Sequence, residues 1–515
     1  MAGLLAPFLR RGPDDPAIVG DRTALTWAEL DDRVNRWASV LTGSGLGVGD
    51  RVAFVTGNRP GTYEALLACL HAGLVAVPVS WRWTAAEIAH VLADSAARAL
   101  LTEPGYAARA ADALGRAAVR PALSVVAGDR EVAGLTPAEA LLGDADAGEP
   151  AGQRSGSVML YTSATTGRPK GVVTGLLVPG ADLDRVRRTV AALGQAFAIP
   201  DRGRALLVGP WYHAAQVFFS LFPLLRGCAV VMRQRFDPAS LLADIDRDRI
   251  TLSHLVPTQF VRLLAVDSAS RAGFSGGTLE RVWHGGAACA VDVKRRMIDW
   301  WGPVFCEYYA ATEAGIVTTI ESAEWLAKPG SVGRPAPPNE VLIVGDDGAV
   351  LPAGRTGTVY VRRSPKLDFH YHNAQEKTSA AHREPGTFTV GDLGRLDQDG
   401  YLYLTGRWLD TIISGGVNIY PAEVEAALLE HPAVRDAAVI GIRDEEFGER
   451  VLAVVQAAPE AGVGEEDLPE TLDAHCQGRL ADYKRPRSYR FVAELPREPT
   501  GKLNRHALRD PYWVG

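Results

Sequence analysis

The chain has 515 residues, 47% of them hydrophobic, more than one hydrophobic core usually serves, so two or more domains are expected. Its 54 Lys and Arg against 61 Asp and Glu give a net charge of −7, which leaves no basic stripe for nucleic acid and no polybasic membrane anchor. No apolar run is long enough to span a bilayer, and Gly3 to Leu9 lacks the basic start and cleavage site of a signal peptide, so a cytoplasmic protein without a membrane span is expected.

In chain order, the apolar runs Arg51 to Thr56 and Leu74 to Pro78 read as strands, and the helical pattern Gly61 to Ala72 lies between them. That alternation is the mark of βαβ units in a layered α/β domain. The Ala-rich stretch Glu103 to Arg154, with its Gly, Pro and Asp, reads as loosely constrained surface elements. After Thr405 the pattern changes. A turn of Ser414 and two glycines leads to a helix starting at Pro421, with Val424, Ala427 and Leu428 on one face. Strand-like runs follow at Ala437 to Ile442 and Val451 to Gln456, then a helix near Leu472 to Leu480. The expected fold is therefore a large multi-subdomain N-terminal α/β domain with a small mobile C-terminal α+β domain. The five cysteines, Cys69, Cys228, Cys289, Cys306 and Cys476, are scattered with no CxxC pair, and are read as reduced, mostly buried thiols.

The most informative segment runs from Val158 to Gly171, where an apolar strand breaks into Thr162, Ser163, Ala164, Thr165, Thr166, Gly167, Arg168, Pro169 and Lys170. Hydroxyls, backbone N–H groups and one Lys offer donors to phosphoryl oxygens. The pattern is not a P-loop, since Gly171 follows Lys170 where that motif needs Ser or Thr. Further along stand Tyr309-Ala310-Ala311-Thr312-Glu313, Gly391-Asp392, Gly406-Arg407, Ser414 to Glu425, and Pro499-Thr500-Gly501-Lys502-Leu503. Singly, each has an ordinary reading as a helix cap, a surface ion pair or a turn with a solvated amine.

Taken in order, and with Gly391-Asp392 and Gly406-Arg407 counted together, these five motifs resemble those of the AMP-forming adenylating superfamily of acyl-CoA synthetases, luciferases and peptide-synthetase adenylation domains. The runs Glu307 to Glu313, Met297 to Pro303 and Asp399 to Leu404 look most like bacterial fatty-acid-type CoA ligases. The resemblance implies an N-terminal ATP- and acyl-binding domain over 1–406, a hinge at 407–411 and a C-terminal lid domain over 412–515. It implies ATP, Mg²⁺ and CoA as cofactors and a small carboxylic acid, aryl or medium to long and hydrophobic, as substrate. The resemblance assigns Thr162, Ser163, Thr165, Thr166, Gly167 and Lys170 to the departing phosphates. Thr312 falls to the α-phosphate, Glu313 to magnesium, Asp392 to the ribose and Arg407 to the interdomain contact, with Gly416 in the opening of the lid. Lys502 would bridge the α-phosphate and the attacking carboxylate, and His213 resembles the family's gate histidine.

The resemblance also places the acyl pocket after Trp211-Tyr212-His213, along Val282 to Ala287 and just beyond Tyr309, with Gly285, Gly286 and Ala287 letting backbone approach the adenine. Trp211, Tyr212, Phe218, Phe219 and Trp283 suit an aryl or medium-sized hydrophobic acid, or else plain core. Gln216 and His284 suit either contacts to a polar substituent or satisfied core groups, and a lone His such as His213 is often structural. Lys484 and Arg485 read either as a solvated pair or as neighbours of the CoA nucleotide. The sequence departs from the family pattern at Ala164 and Ala310, where Gly is common, and at Leu409, where the hinge usually carries Lys or Asp. Two further readings stay open: adenylation with another acceptor, such as a carrier protein or an aryl amine with nitrite in a diazotase-type reaction, and a non-enzymatic adenylate-binding protein. A homodimer is compatible with either.

Overall fold

The computed structural model describes residues 3–132, 134–162, 169–407, 410–414, 417–444, 447–458, 466–477, 479–480, 482–498, 501 and 503–512. Two largely parallel sheets form the first part of the chain. The six-stranded one runs Thr136–Pro137, Leu123–Val126, Ala99–Thr102, Arg51–Val55, Val75–Pro78 and Ser157–Val158, every pairing parallel. Its central strands are apolar without alternation because helices such as Pro60–His71 and Ala85–Asp94 cover its faces. A nine-stranded sheet has at its centre the parallel strands Phe305–Ala311, Arg281–His284, Leu252–Leu255, Arg204–Leu207 and Ala229–Met232. Gly315–Glu321 then returns antiparallel to Phe305–Ala311.

Trp211 joins the two sheets. It is fully buried between Phe54 and Tyr63, and its indole N–H donates to the Thr56 carbonyl at 2.8 Å. Asn58 completes the seam, accepting from the Trp211 N–H at 2.9 Å and donating to the Gly209 and Arg233 carbonyls. A third, antiparallel sheet (Glu340–Val344, Gly357–Arg362, Thr387–Leu396, Leu402–Arg407 and His382–Glu384) packs beside the site.

The strands expected at Arg51 to Thr56 and Leu74 to Pro78 are Arg51–Val55 and Val75–Pro78, and the expected helix is Pro60–His71. The stretch Glu103 to Arg154 is not loose surface. Leu123–Val126 pairs with Ala99–Thr102 and buries Val125 and Val126, and the helix Ala107–Arg116 buries Ala107, Ala110 and Ala113. Alanines three apart form a flat stripe that packs close to the sheet while carrying little hydrophobic signal. Beyond residue 411 the helix Pro421–Leu429 buries Val424, Ala427 and Leu428 against the hairpin Val434–Asp444 and Gly448–Ala457. The next helix is Leu468–Gln477, starting before the expected Leu472 because Leu468, Leu472 and Cys476 share its buried face. Four of the five cysteines are buried and all are free. Among the described residues no helix is long and apolar enough to cross a membrane.

One buried histidine gives the fold a pH dependence. His71 Nε2 accepts from the Leu4 N–H at 3.2 Å, and burial lowers its pKa to about 4. The unfolded chain binds a proton near pH 6.5 that the folded chain refuses until about pH 4. Stability is therefore lost as pH falls through that window, by about 1.4 kcal/mol per pH unit for this one group. Thermal unfolding followed from pH 7.5 to 4.5 is expected to show His71→Gln with a slope shallower by that one proton.

Candidate active site

The strands Leu160–Thr162 and Lys170–Thr174 pair antiparallel with Thr162 opposite Lys170, so the hydroxyl-rich segment between them connects two adjacent strand ends. Ser163, Thr165, Thr166 and Gly167, with Ala164, lie outside the described residues. The hairpin is held from below: Tyr161 donates to Asp94 at 2.7 Å, and His90 contacts the Pro169 carbonyl at 3.0 Å. Gly171 has little room to be anything else, since a Cβ there would stand 3.1 Å from the Tyr161 ring and 3.2 Å from His372.

Lys170 and Glu313 come together across one aromatic ring. The Lys170 ammonium lies 5.3 Å from the centroid of Tyr371, whose hydroxyl donates to Glu313 Oε1 at 2.9 Å. Burial lowers the Lys170 pKa, Lys377 adds to that, and Glu313 opposes it. Arg363 secures the turn from behind, donating to the carbonyls of Glu313 at 3.1 Å and Ala314 at 2.5 Å. Its own pKa falls to about 10 through burial over the Phe388 ring. Thr312 is half-buried next to Glu313. The carboxylate of Glu313 thus stays on the side of Lys170 and Tyr371 while its backbone is clamped.

Tyr309 and Asp392 meet across two sheets. The Tyr309 hydroxyl donates to Asp392 Oδ2 at 2.5 Å, and Asp392 is only 8% exposed. That burial rules out the surface ion pair left open by the sequence. Gly391 just before it takes φ +83°, which a side chain would resist. Asp392 stands opposite Arg407 in the ladder. Ala310 is not among the described residues with positive φ, so Ala there is tolerated where Gly is common.

A cavity of about 60 Å³ opens at the C-terminal ends of Arg204–Leu207, Leu252–Leu255 and Arg281–His284 and at the start of the helix Ala214–Arg226. Such strand ends are where α/β sheets take ligands. Its lining includes His213, Gln216, His254, Gly285 and Gly286. A Cβ on Gly285 would sit 2.6 Å from the Tyr308 carbonyl, and Gly286 takes φ +78°, so the backbone itself forms this wall. Ala287 follows, half-buried. His213 caps the helix start, its ring 4.5 Å from that of Tyr212.

None of the five aromatics singled out by the sequence is in that lining. Trp211 belongs to the seam between sheets, while Phe219 stacks on Trp283 at 4.7 Å behind the cavity. His284 is also core: fully buried, its ring nitrogens have no hydrogen-bond partner among the described residues, and it lies 3.9 Å from Glu307. Sequence reading missed His254, Arg363, Tyr371 and the pair Lys294–Glu307. Only Glu307, a carboxylate inside an apolar run, carried a local signal.

The C-terminal segment reaches the rim of this cavity. At Gly501, φ +79°, a Cβ would fall 2.0 Å from Thr258 Oγ1 and 3.5 Å from Val256, so its backbone rests on the start of the helix Pro257–Leu264. Arg497 anchors the turn, donating to the Gly501 carbonyl at 2.9 Å and to both Asp436 oxygens. Lys502, Gly416 and Leu409 lie outside the described residues, as does the side chain of Arg407. Lys484 is not a merely solvated amine: it contacts both Glu423 oxygens at 2.6 and 2.8 Å.

Comparison with known proteins agrees with this geometry. Residues 6–366 match the model of the AMP-binding enzyme family, and 423–502 that of the AMP-binding enzyme C-terminal domain. A feruloyl-CoA synthase from an Amycolatopsis species is 36% identical over 503 residues, covering 97% of this chain and 96% of its own. An indoleacetate–CoA ligase from Aromatoleum aromaticum is 34% identical, covering 96% and 95%. Among solved structures, the amide bond synthetase McbA from Marinactinospora thermotolerans superposes with TM-score 0.84 at 28% identity, covering 99% of each chain. The chain belongs to the AMP-binding enzyme family. It is an AMP-forming ligase, and membership implies ATP as a substrate.

The buried pair Lys294–Glu307 supports the wall beneath this site. Lys294 is fully buried, its Nζ 2.5 Å from Glu307 Oε2 and 4.5 Å from the Trp325 ring. Removing one partner strands a charge in the core, which typically costs about 3–5 kcal/mol. Glu307→Gln is expected to lower stability by that order in denaturant unfolding, and Glu307→Gln with Lys294→Met to recover much of it.

Proposed function

We propose that this chain activates an aryl carboxylic acid with ATP and passes the acyl group to CoA. Attack of the carboxylate on the α-phosphorus forms the acyl-adenylate and expels pyrophosphate. Attack of the CoA thiolate on the acyl carbon then forms the thioester and releases AMP. The aryl class is supported by the two relatives named for aryl acids. The observation that carries the reading is the meeting of Lys170 and Glu313 across Tyr371 and of Tyr309 with the buried Asp392, carboxylate and cation being brought from distant parts of the chain.

In this reading the 162–170 hairpin binds the β- and γ-phosphates, Thr312 the α-phosphate and Asp392 the ribose hydroxyls, with Tyr309 fixing the Asp392 carboxylate. Glu313 suits Mg²⁺, because that ion is commonly held by one or two carboxylates plus substrate phosphates; bound there it would neutralise charge on those phosphates. His213, with Gly285, Gly286 and Ala287, borders the acyl and adenine positions. Arg407 and Gly416 belong to the moving parts, with 407–411 as the hinge between 1–406 and 412–515. The location is cytoplasmic. A different acceptor, as the name of the amide bond synthetase illustrates, is the alternative to CoA.

Catalysis of this kind is mainly positioning plus neutralisation of charge developing on the α-phosphoryl oxygens. Lys502 follows Gly501, which rests at the cavity rim, so Lys502→Ala is expected to slow adenylation by ~10²–10³-fold, the usual cost of one such donor. Thioester formation from chemically made acyl-adenylate should suffer much less. The measurement is single-turnover kinetics on each half-reaction; equal losses in both remove Lys502 from this role. Thioester mass in the presence of CoA separates the CoA reading from another acceptor.

A further inference from the structure

We infer that the acyl cavity reads a hydrogen-bond donor on the acid's ring, with Gln216, oriented by His254 and Tyr308, as the specificity-determining residue. The substrates are then aryl acids bearing a hydroxyl or amino group. This rests on the adenylating function proposed above and narrows its substrate class.

The lining of the cavity includes three buried polar side chains, Gln216 at 4%, His254 at 2% and Gln259 at 6% exposure; Gln259 Oε1 is taken by the Val256 N–H at 2.9 Å, which leaves the other two. Burying polar groups is costly unless they are hydrogen-bonded, and a wall meant for a purely aliphatic chain gains nothing from them. They form a chain. Gln216 Nε2 lies 2.8 Å from His254 Nδ1, and His254 Nε2 lies 2.7 Å from the Tyr308 hydroxyl. Burial drives the His254 pKa down to about 3, so the ring is neutral, one nitrogen accepting and the other donating. The Gln216 amide N–H therefore donates to Nδ1, and Nε2–H donates to Tyr308.

This arrangement fixes the amide and leaves Gln216 Oε1 with no hydrogen-bond partner among the described residues. A carbonyl oxygen left open on an otherwise buried side chain beside a cavity, and held by a rigid chain, is an acceptor available to a donor. The rest of the chain cannot swing to satisfy it. Phe219 stacks on the His254 ring at 5.1 Å and 9°, and a Cβ on Gly209 would meet the Gln216 amide nitrogen at 2.3 Å, so the amide is packed on the Gly209 backbone. Phe219 and Trp283 also fill the depth behind the polar chain, which favours a flat ring over a long acyl tail.

The test is pyrophosphate release by the full chain with ATP, Mg²⁺ and CoA, using matched 3-phenylpropenoic acids that are unsubstituted, 4-hydroxy, 4-amino or 4-methoxy, with matched 2- and 3-substituted acids alongside. At the best ring position, the hydroxy or amino acid is expected to exceed the unsubstituted and methoxy acids at least ~10-fold in kcat/KM, since a site built around a hydrogen bond rejects analogues lacking it. The hydroxy and amino arms show which donor is preferred. Gln216→Met should bring the ratios toward unity, mainly through KM for the donor-bearing acid. Wild-type enzyme that handles donor and non-donor acids alike, or Gln216→Met that keeps the preference, overturns the inference; the wild-type ratios decide even if the variant does not fold. Release with no acid at all overturns the adenylating reading instead.

Discussion

The strand Phe305–Ala311 is the constraint on which the site depends, because alternation along one strand serves three separate environments. Glu307 points to Lys294 in the core, Tyr308 to His254 in the cavity wall, and Tyr309 to Asp392 on the neighbouring sheet. Beyond the strand, Glu313 meets Tyr371 on the side of Lys170. A register shift of one residue would exchange these faces at once, so its pairing with Arg281–His284 and Gly315–Glu321 fixes the chemistry as well as the fold.

Charge around the site is arranged by burial as much as by pairing. Arg363 is held by carbonyls and a ring instead of a carboxylate, which leaves the Glu313 carboxylate to Tyr371 and the open side. Lys170 is also partly desolvated, so its charge is less screened where a polyphosphate would lie. A cation in such a place binds anions more strongly than one on the open surface, at the cost of a lowered pKa. The polar chain behind the cavity is different in kind, being neutral throughout and acting by orientation.

Much of this was legible from sequence where local pattern and chemistry coincide. Periodicity placed Arg51–Val55, Val75–Pro78, Pro60–His71 and the hairpin beyond residue 433, and the motifs pointed to Thr162, Lys170, Glu313 and Asp392. The polar chain Gln216–His254–Tyr308 was not legible, because its members are far apart in sequence and belong to one helix and two strands. The aromatics misled for a related reason. Trp211 and Trp283 sit next to site residues in sequence, yet one closes the seam between two sheets and the other packs beneath the cavity. Composition says that a residue is apolar and large; only the sheet topology says which side of the wall it is on.

The departure at the hinge becomes intelligible from its neighbours. Leu409 brings no charge, but Asp410 follows it and lies 3.4 Å from Arg505, which also grips both oxygens of Glu425 at 2.7 and 2.9 Å and the Val439 carbonyl at 2.7 Å. Arg505 stands three positions beyond Lys502 in the sequence. A single guanidinium thus ties Asp410, the helix Pro421–Leu429 and the strand Val434–Asp444 together. Arginine suits this because its planar fork satisfies two partners without losing its charge. In the hinge proposed over 407–411, the charge thus lies at Asp410, one residue after Leu409, and it pairs with the C-terminal segment through Arg505.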